Sequence, residues 1–170
     1  SGRLRRIDVA SASVTTVAGS SHGNGNPVDG VGSNARFYYP RDVAATADGA
    51  VVFITDYSGH TVRRVVVATR TVTTVAGRAS SSGSADVIGT SAHFYHPWGI
   101  DVTPDGLTAY VAEYHADRIR RIDMTSRSVT TLAGAYNVAA FADGAGTNAR
   151  FFHPRQLALA GTMLFVADSS

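Results

Sequence analysis

Three acids occupy one position of a recurring pattern. Asp56, Glu113 and Asp168 close the segments Ile54–Asp56 (ITD), Val111–Glu113 (VAE) and Val166–Asp168 (VAD), 57 and 55 residues apart. A carboxylate at the end of an apolar strand has the chemistry of a base or a channel ligand. Because the acid recurs in every unit, a structural role is expected instead. It would hold the following turn or pair with the repeated arginines Arg5/Arg6, Arg63/Arg64 and Arg120/Arg121, since buried charges persist when paired. Asp56, Glu113 and Asp168, with Arg6, Arg64 and Arg121, are therefore taken as structural repeat residues.

A second set lies at an aromatic–proline corner. Phe37–Pro40 (FYYP), Phe94–Pro97 (FYHP) and Phe151–Pro154 (FFHP) are 57 and 57 residues apart and place Tyr39, His96 and His153 before each proline. Imidazoles gathered from several units are potential ligands for a transition metal. Nothing in their spacing in the chain resembles a metal site, however, and packing against the proline and its aromatic neighbours is the expected role. His22, His60, His93 and His115 fall in loops or at a strand start and are expected in solvent. After the proline come Arg41, Trp98 and Arg155, which with Asp42 and Gln156 break the repeat. Two arginines and one tryptophan suit an anion, a peptide carboxylate or a stacked base. Arg41, Trp98, Arg155, Tyr39, His96 and His153 are the candidate ligand-binding residues. No Ser-His-Asp order, Gly-x-Ser-x-Gly or His-Glu-x-x-His is present. No catalytic residue, metal or cofactor is assigned.

The elements that position these residues repeat with the same period. Val14–Gly19 (VTTVAG), Val72–Gly77 (VTTVAG) and Val129–Gly134 (VTTLAG) start 58 and 57 residues apart, and Leu4–Arg6, Val62–Arg64 and Ile119–Arg121 do the same. Such a period signals a repeat architecture. In the middle unit four strands are predicted at Trp98–Thr103, Thr108–Ala112, Asp117–Asp123 and Ser128–Ala133. In the unit before it they are Arg41–Thr46, Val51–Asp56, His60–Val67 and Thr71–Ala76. Val, Ile, Thr and Tyr dominate and Asp-Gly marks the first turn, which favours an antiparallel all-β array. Polar connections of about twenty residues follow each fourth strand, long enough to be compact surface loops. Two of them, ending VDGVGSNAR and FADGAGTNAR, carry Asp-Gly-x-Gly; the middle one lacks the glycine after Asp86. A phosphate cradle there would need a strand–loop–helix context that is missing.

Composition excludes several classes. Charged residues are 16% of the chain, below the usual ~25%. The formal charge of +2 gives only slight support to a nucleic-acid partner. There are no cysteines, hence no disulfide framework or thiolate metal site. No apolar run approaches the ~20 residues of a membrane helix, so no membrane partner is assigned.

The pattern P-x-x-V/I/L-A/D, then DG, then V-x-x-(V/I)-(T/A)-D, then (V/I/L)-R-R-(I/V)-D resembles the NHL-repeat β-propeller family. The longer unit with VTT-(V/L)-AG and DGxGxxARF is similar to a familiar variant of it, and the resemblance covers essentially the whole chain. It implies four-stranded blades in a ring of about six around a central channel. Three repeats are half of such a ring. Strands three and four of the closing blade fall in residues 1–19, complete blades in 37–77 and 94–134, and strands one and two in 151–170. A two-fold homodimer would complete six blades by strand exchange, Leu4–Val9 and Val14–Ala18 of one copy joining the last strands of the other. A nine-bladed trimer and an engineered or excised fragment are the alternatives. The amino terminus, which begins without Met, is expected to be processed, cloned or cut from something longer. The expected function is a non-catalytic binding or scaffold module that self-assembles. The resemblance also implies two alternatives, a metal-dependent lyase or lactonase and an RNA-binding platform, while a protein or peptide is the expected ligand.

Overall fold

The computed structural model describes residues 2–21 and 25–169; His22 lies outside that set. Among these residues thirteen strands run in order: β1 (Gly2–Asp8), β2 (Ser13–Ser20), β3 (Gly30–Val31), β4 (Pro40–Ala45), β5 (Val51–Asp56), β6 (Thr61–Val66), β7 (Thr71–Ala76), β8 (Pro97–Val102), β9 (Thr108–Glu113), β10 (Arg118–Asp123), β11 (Val129–Gly134), β12 (Gln156–Ala160) and β13 (Met163–Ala167). Strands β4 to β7 form one complete antiparallel blade and β8 to β11 a second. The hairpins β1–β2 and β12–β13 are two-stranded sheets of their own. Predicted and observed strands agree within a residue or two. Strands β4 and β8 start at the proline itself, a position that needs no ladder N–H, and β12 starts two residues after Pro154. No helix among the described residues is long and apolar enough to cross a membrane.

The turn residues explain the first hairpin of each blade. Thr46 Oγ1 donates to Asp48 Oδ1 (2.6 Å), which also accepts Ala50 N (3.0 Å). Thr103, Asp105 and Leu107 repeat this at 2.6 and 2.9 Å. These bonds to the carboxylates hold the pKa of Asp48 and Asp105 below the usual range.

The long connections are built structures. Each contains a single 3-10 turn, Gly32–Asn34, Gly89–Ser91 or Gly146–Asn148, and each is closed on itself by a bridge or backbone bonds. The turn opens on a glycine with φ of +56°, +56° and +55°. The second glycine of Asp-Gly-x-Gly thus meets the left-handed requirement, and all three copies keep it; the glycine missing after Asp86 is the dispensable one. Strand β3 was not anticipated. It pairs with β7 and covers the outer edge of that blade, while Ile88 bridges Ser128 at the corresponding place in the next.

The blades pack face to face. Phe53, Val62, Val75, Phe94, Ile100, Val111 and Ile122 form the core between the two complete blades. Val17, Ala18, Phe37, Ile54, Val65 and Val72 join the β1–β2 hairpin to the first of them. The β12–β13 hairpin lies beside β8 and β9 at the far end of the row. The VTTVAG and FYYP motifs meet here. Gly19, Gly77 and Gly134 have φ of +93°, +94° and +86°, and a Cβ on each would stand 2.9 Å from the ring of Phe37, Phe94 and Phe151 respectively. The same Cβ on Gly77 would strike the His60 carbonyl. A Gly77→Ala variant is expected to lose about 1–3 kcal/mol from the strained backbone alone. Urea unfolding of the variant against the parent chain measures it.

Candidate binding site at the blade corners

The acids hold the corners. Asp56 accepts the amide of Tyr38 through both oxygens (2.7 and 2.8 Å), Glu113 accepts that of Tyr95 (2.6 Å), and Asp168 that of Phe152 (2.8 Å). In the complete blades the acid also faces a fully buried arginine. Arg63 lies 3.5 Å from Asp56 and 2.7 Å from Asp29, and its other bonds go to the carbonyls of Val28 and Arg36 (both 3.0 Å). Arg120 lies 3.0 Å from Glu113 and 2.5 Å from Asp86, and bonds to the carbonyls of Ala85 (3.1 Å) and His93 (3.0 Å). Arg118 adds a second guanidinium on Glu113 at 2.5 Å.

This corrects the arginine assignment. Of the repeated arginines, the ones paired with the strand-end acids are Arg63 and Arg120, not Arg64 and Arg121. A β-bulge between Val62 and Arg63, and another between Ile119 and Arg120, sets which arginine faces inward. Arg64 instead lines the cleft between the blades with Asp105 and Arg127. Arg121 is 4.0 Å from Asp123 near the surface, and Arg6 is exposed.

The second carboxylate, on Asp29 or Asp86, was missed although Asp29, Asp86 and Asp143 recur at intervals of 57. Burial outweighs the Tyr38 amide and Arg63 and raises the Asp56 pKa to about 6. That agrees with Arg63 lying nearer to Asp29 than to Asp56.

The corner residues make one aromatic band. His96 stacks on Tyr57 (centroids 4.2 Å, 14° apart) and His153 on Tyr114 (4.4 Å, 19°). Tyr95, His60 and His115 close around His96 at 4.8, 4.8 and 4.6 Å. Tyr39 lacks such a cover and is 64% exposed. Tyr39, His96 and His153 all have positive φ (66°, 54° and 54°). The next blade is tied on at this point: the His96 amide donates to His60 Nδ1 (3.3 Å), and the His153 amide to Asp117 Oδ1 (2.9 Å). His60 and His115 are thus half-buried, contrary to the expectation that they lie in solvent. Among the described residues no group of three or more His, Cys, Asp or Glu is placed to hold a metal ion.

Above this band Arg41, Trp98 and Arg155 come together. The Arg41 guanidinium lies 4.3 Å from the Trp98 ring centroid and 4.9 Å from that of Tyr57. Arg155 lies 5.3 Å from both Trp98 and Tyr114. Neither makes an ion pair among the described residues. The first strands β4, β8 and β12, which carry or follow these residues, are neighbours in space. Tyr57 and Tyr114, which support the set, were legible only as a 57-residue spacing.

No family model matches the chain. NHL repeat-containing protein 2 of Bos taurus is 28% identical over 117 residues, 69% of this chain and 16% of that protein; the Homo sapiens protein is 27% identical over the same length and shares. The chain is thus similar to NHL-repeat proteins. It spans about one sixth of the length of these curated relatives. Among solved structures, a Bacteroides thetaiotaomicron protein of unknown function superposes with a TM-score of 0.74 at 21% identity, over 98% of this chain and 40% of the other. An auxiliary nutrient binding protein of the same organism gives 0.73 at 18%, again over 98% and 40%. Virginiamycin B lyase of Staphylococcus aureus gives 0.57 at 15%, over 98% and 42%. These likenesses establish an almost all-β, propeller-type fold.

Two outcomes follow for the repeats. Arg120→Ala takes the guanidinium from Asp86, leaves Glu113 to Arg118 alone and frees the Ala85 and His93 carbonyls; it is expected to cost about 3–5 kcal/mol in urea unfolding, whereas Arg121→Ala should stay within about 0.5 kcal/mol. His96 is held neutral down to a pKa of about 4, first by burial and then by His60 and His115. The unfolded chain takes up that proton near pH 6.5, so the folded state binds fewer protons between pH 6.5 and 4. The His96 contribution to stability is therefore complete above pH 6.5 and is lost as pH falls towards 4. Urea midpoints across this range should drop less steeply in His96→Asn.

Proposed function

We propose that this chain is a non-catalytic NHL-propeller binding module, closed into a ring by a second copy of itself, and that it grips an anionic group of a protein or peptide at the blade corners. The observation that carries the reading is the pair of guanidiniums, Arg41 and Arg155, over the one indole Trp98, with no ion pair to either among the described residues. Flat cations resting on aromatic faces are pre-organised, which lowers the entropy lost when a carboxylate is bound in bidentate fashion. The repeated acids are already engaged by corner amides, and two of them by arginines as well, so they serve the frame. The departures from the repeat gather instead at the corners, where binding chemistry is free to differ from unit to unit.

Trp98 is the only tryptophan in the chain, so its fluorescence reports the site directly. Peptides with a free terminal carboxylate should quench or shift it, and their amidated forms should bind at least about tenfold more weakly. Arg41→Ala with Arg155→Ala should weaken the free-carboxylate peptides by about 100-fold. Unchanged affinity in the double variant overturns the reading. Tighter binding of single-stranded RNA than of any peptide replaces the proposed ligand with nucleic acid.

A further inference from the structure

The groups that hold a buried arginine in the two complete blades recur a third time around an empty cavity. In the first blade the arginine socket consists of Asp29, the carbonyls of Val28 and Arg36, the Phe37 ring and Asp56. In the second it is Asp86, the carbonyls of Ala85 and His93, the Phe94 ring and Glu113. Beside the β12–β13 hairpin the matching residues are Asp143, Ala142, Arg150, Phe151 and Asp168, and all five line one open cavity of about 360 Å³. Both acids are exposed, and no arginine from elsewhere in the chain pairs with either among the described residues.

The matching arginine is Arg5. It sits opposite Thr16 immediately after a register shift between Leu4 and Arg5. Arg63 sits opposite Thr74 after the same shift, and Arg120 opposite Thr131. In the complete blades that threonine amide donates to the connection aspartate, Thr74 to Asp29 (3.0 Å) and Thr131 to Asp86 (2.7 Å). Arg5 is exposed and has no carboxylate partner among the described residues. It cannot fill the socket of its own chain, because the β1–β2 hairpin packs on the first complete blade and two complete blades intervene.

We infer that the β12–β13 end is a docking site for the β1–β2 hairpin of a second copy, with the partner's Arg5 inserted between Asp143 and Asp168. This rests on the self-assembly reading above and specifies its contact. By the register of the complete blades, Arg5 would lie opposite Val166 and Arg3 opposite Asp168, since Arg63 lies opposite Ile54 and Thr61 opposite Asp56. Exposed apolar residues on both edges support the pairing: Ile7 (61%) on one, Met163 (62%) and Phe165 (57%) on the other. Each copy would supply one hairpin and one socket, so a two-fold pair leaves neither unpaired.

The test is the mass in solution of the 170-residue chain by sedimentation equilibrium. Association to 2 × 17.8 kDa is expected. Removing one partner of a desolvated charge pair should weaken association at least about 100-fold in Arg5→Ala, with an intermediate loss in Arg5→Lys. The neighbouring Arg6→Ala should leave it unchanged, because the counterparts Arg64 and Arg121 lie outside the sockets. Far-UV circular dichroism confirms that each variant is folded. If the chain pairs and Arg5→Ala matches Arg6→Ala, the socket is overturned while self-assembly stands. If the parent chain stays at 17.8 kDa at every concentration, both are overturned.

Discussion

A guanidinium taken out of water is the constraint on which these blades depend. Desolvating one ion costs several kcal/mol, and the cost is offset only by close, well-aligned partners. Arg63 and Arg120 are each fully buried and each finds two carboxylates and two backbone carbonyls, with only the Nε atom left without an acceptor. One carboxylate comes from the strand beside it and the other from the connection that enters the blade. A single side chain therefore fixes the sheet, the corner and some twenty residues of connecting chain at once. The connection needs no helix or apolar core of its own, because the arginine and the threonine amide orient its aspartate.

Blades are tied to one another by a different chemistry. Thr55 Oγ1 reaches the Trp98 carbonyl at 2.5 Å, Asp42 takes the Ile100 amide at 3.0 Å, and Asp101 the Leu159 amide at 2.7 Å. His60 and Asp117 perform one task, receiving the amide of the pre-proline residue of the following unit, with a ring nitrogen in one case and a carboxylate in the other. Hydrophobic burial between the faces supplies the bulk of the cohesion, and these bonds set the angle at which neighbouring blades meet.

Much of this was legible in the sequence. The VTTVAG, FYYP and apolar–acid segments gave the unit length, the four strands and the position of the corner. They did so because a strand that buries one face must repeat its apolar residues in register. The choice between Arg63 and Arg64 was not legible. Period-two alternation puts one of them inside, and only the bulge determines which. The aspartates of the connections shared the 57-residue spacing, yet a carboxylate in a Gly-rich loop reads as solvent-exposed until the strand that it caps is seen. His60 and His115 were misplaced for a related reason: contact across blades depends on the sheet twist, which no linear spacing encodes.

The corner backbone is set entirely by groups other than the side chains it displays. At Tyr39, His96 and His153 the left-handed turn is the same, the amide just before each is fixed by an acid of the frame, and those of His96 and His153 are also fixed by His60 and Asp117. The corner side chains therefore pack on the frame without having to shape its backbone. Tyr, His and His, and then Arg, Trp and Arg, are three spellings on a common stem. The rim can therefore vary from unit to unit while the backbone beneath it stays the same.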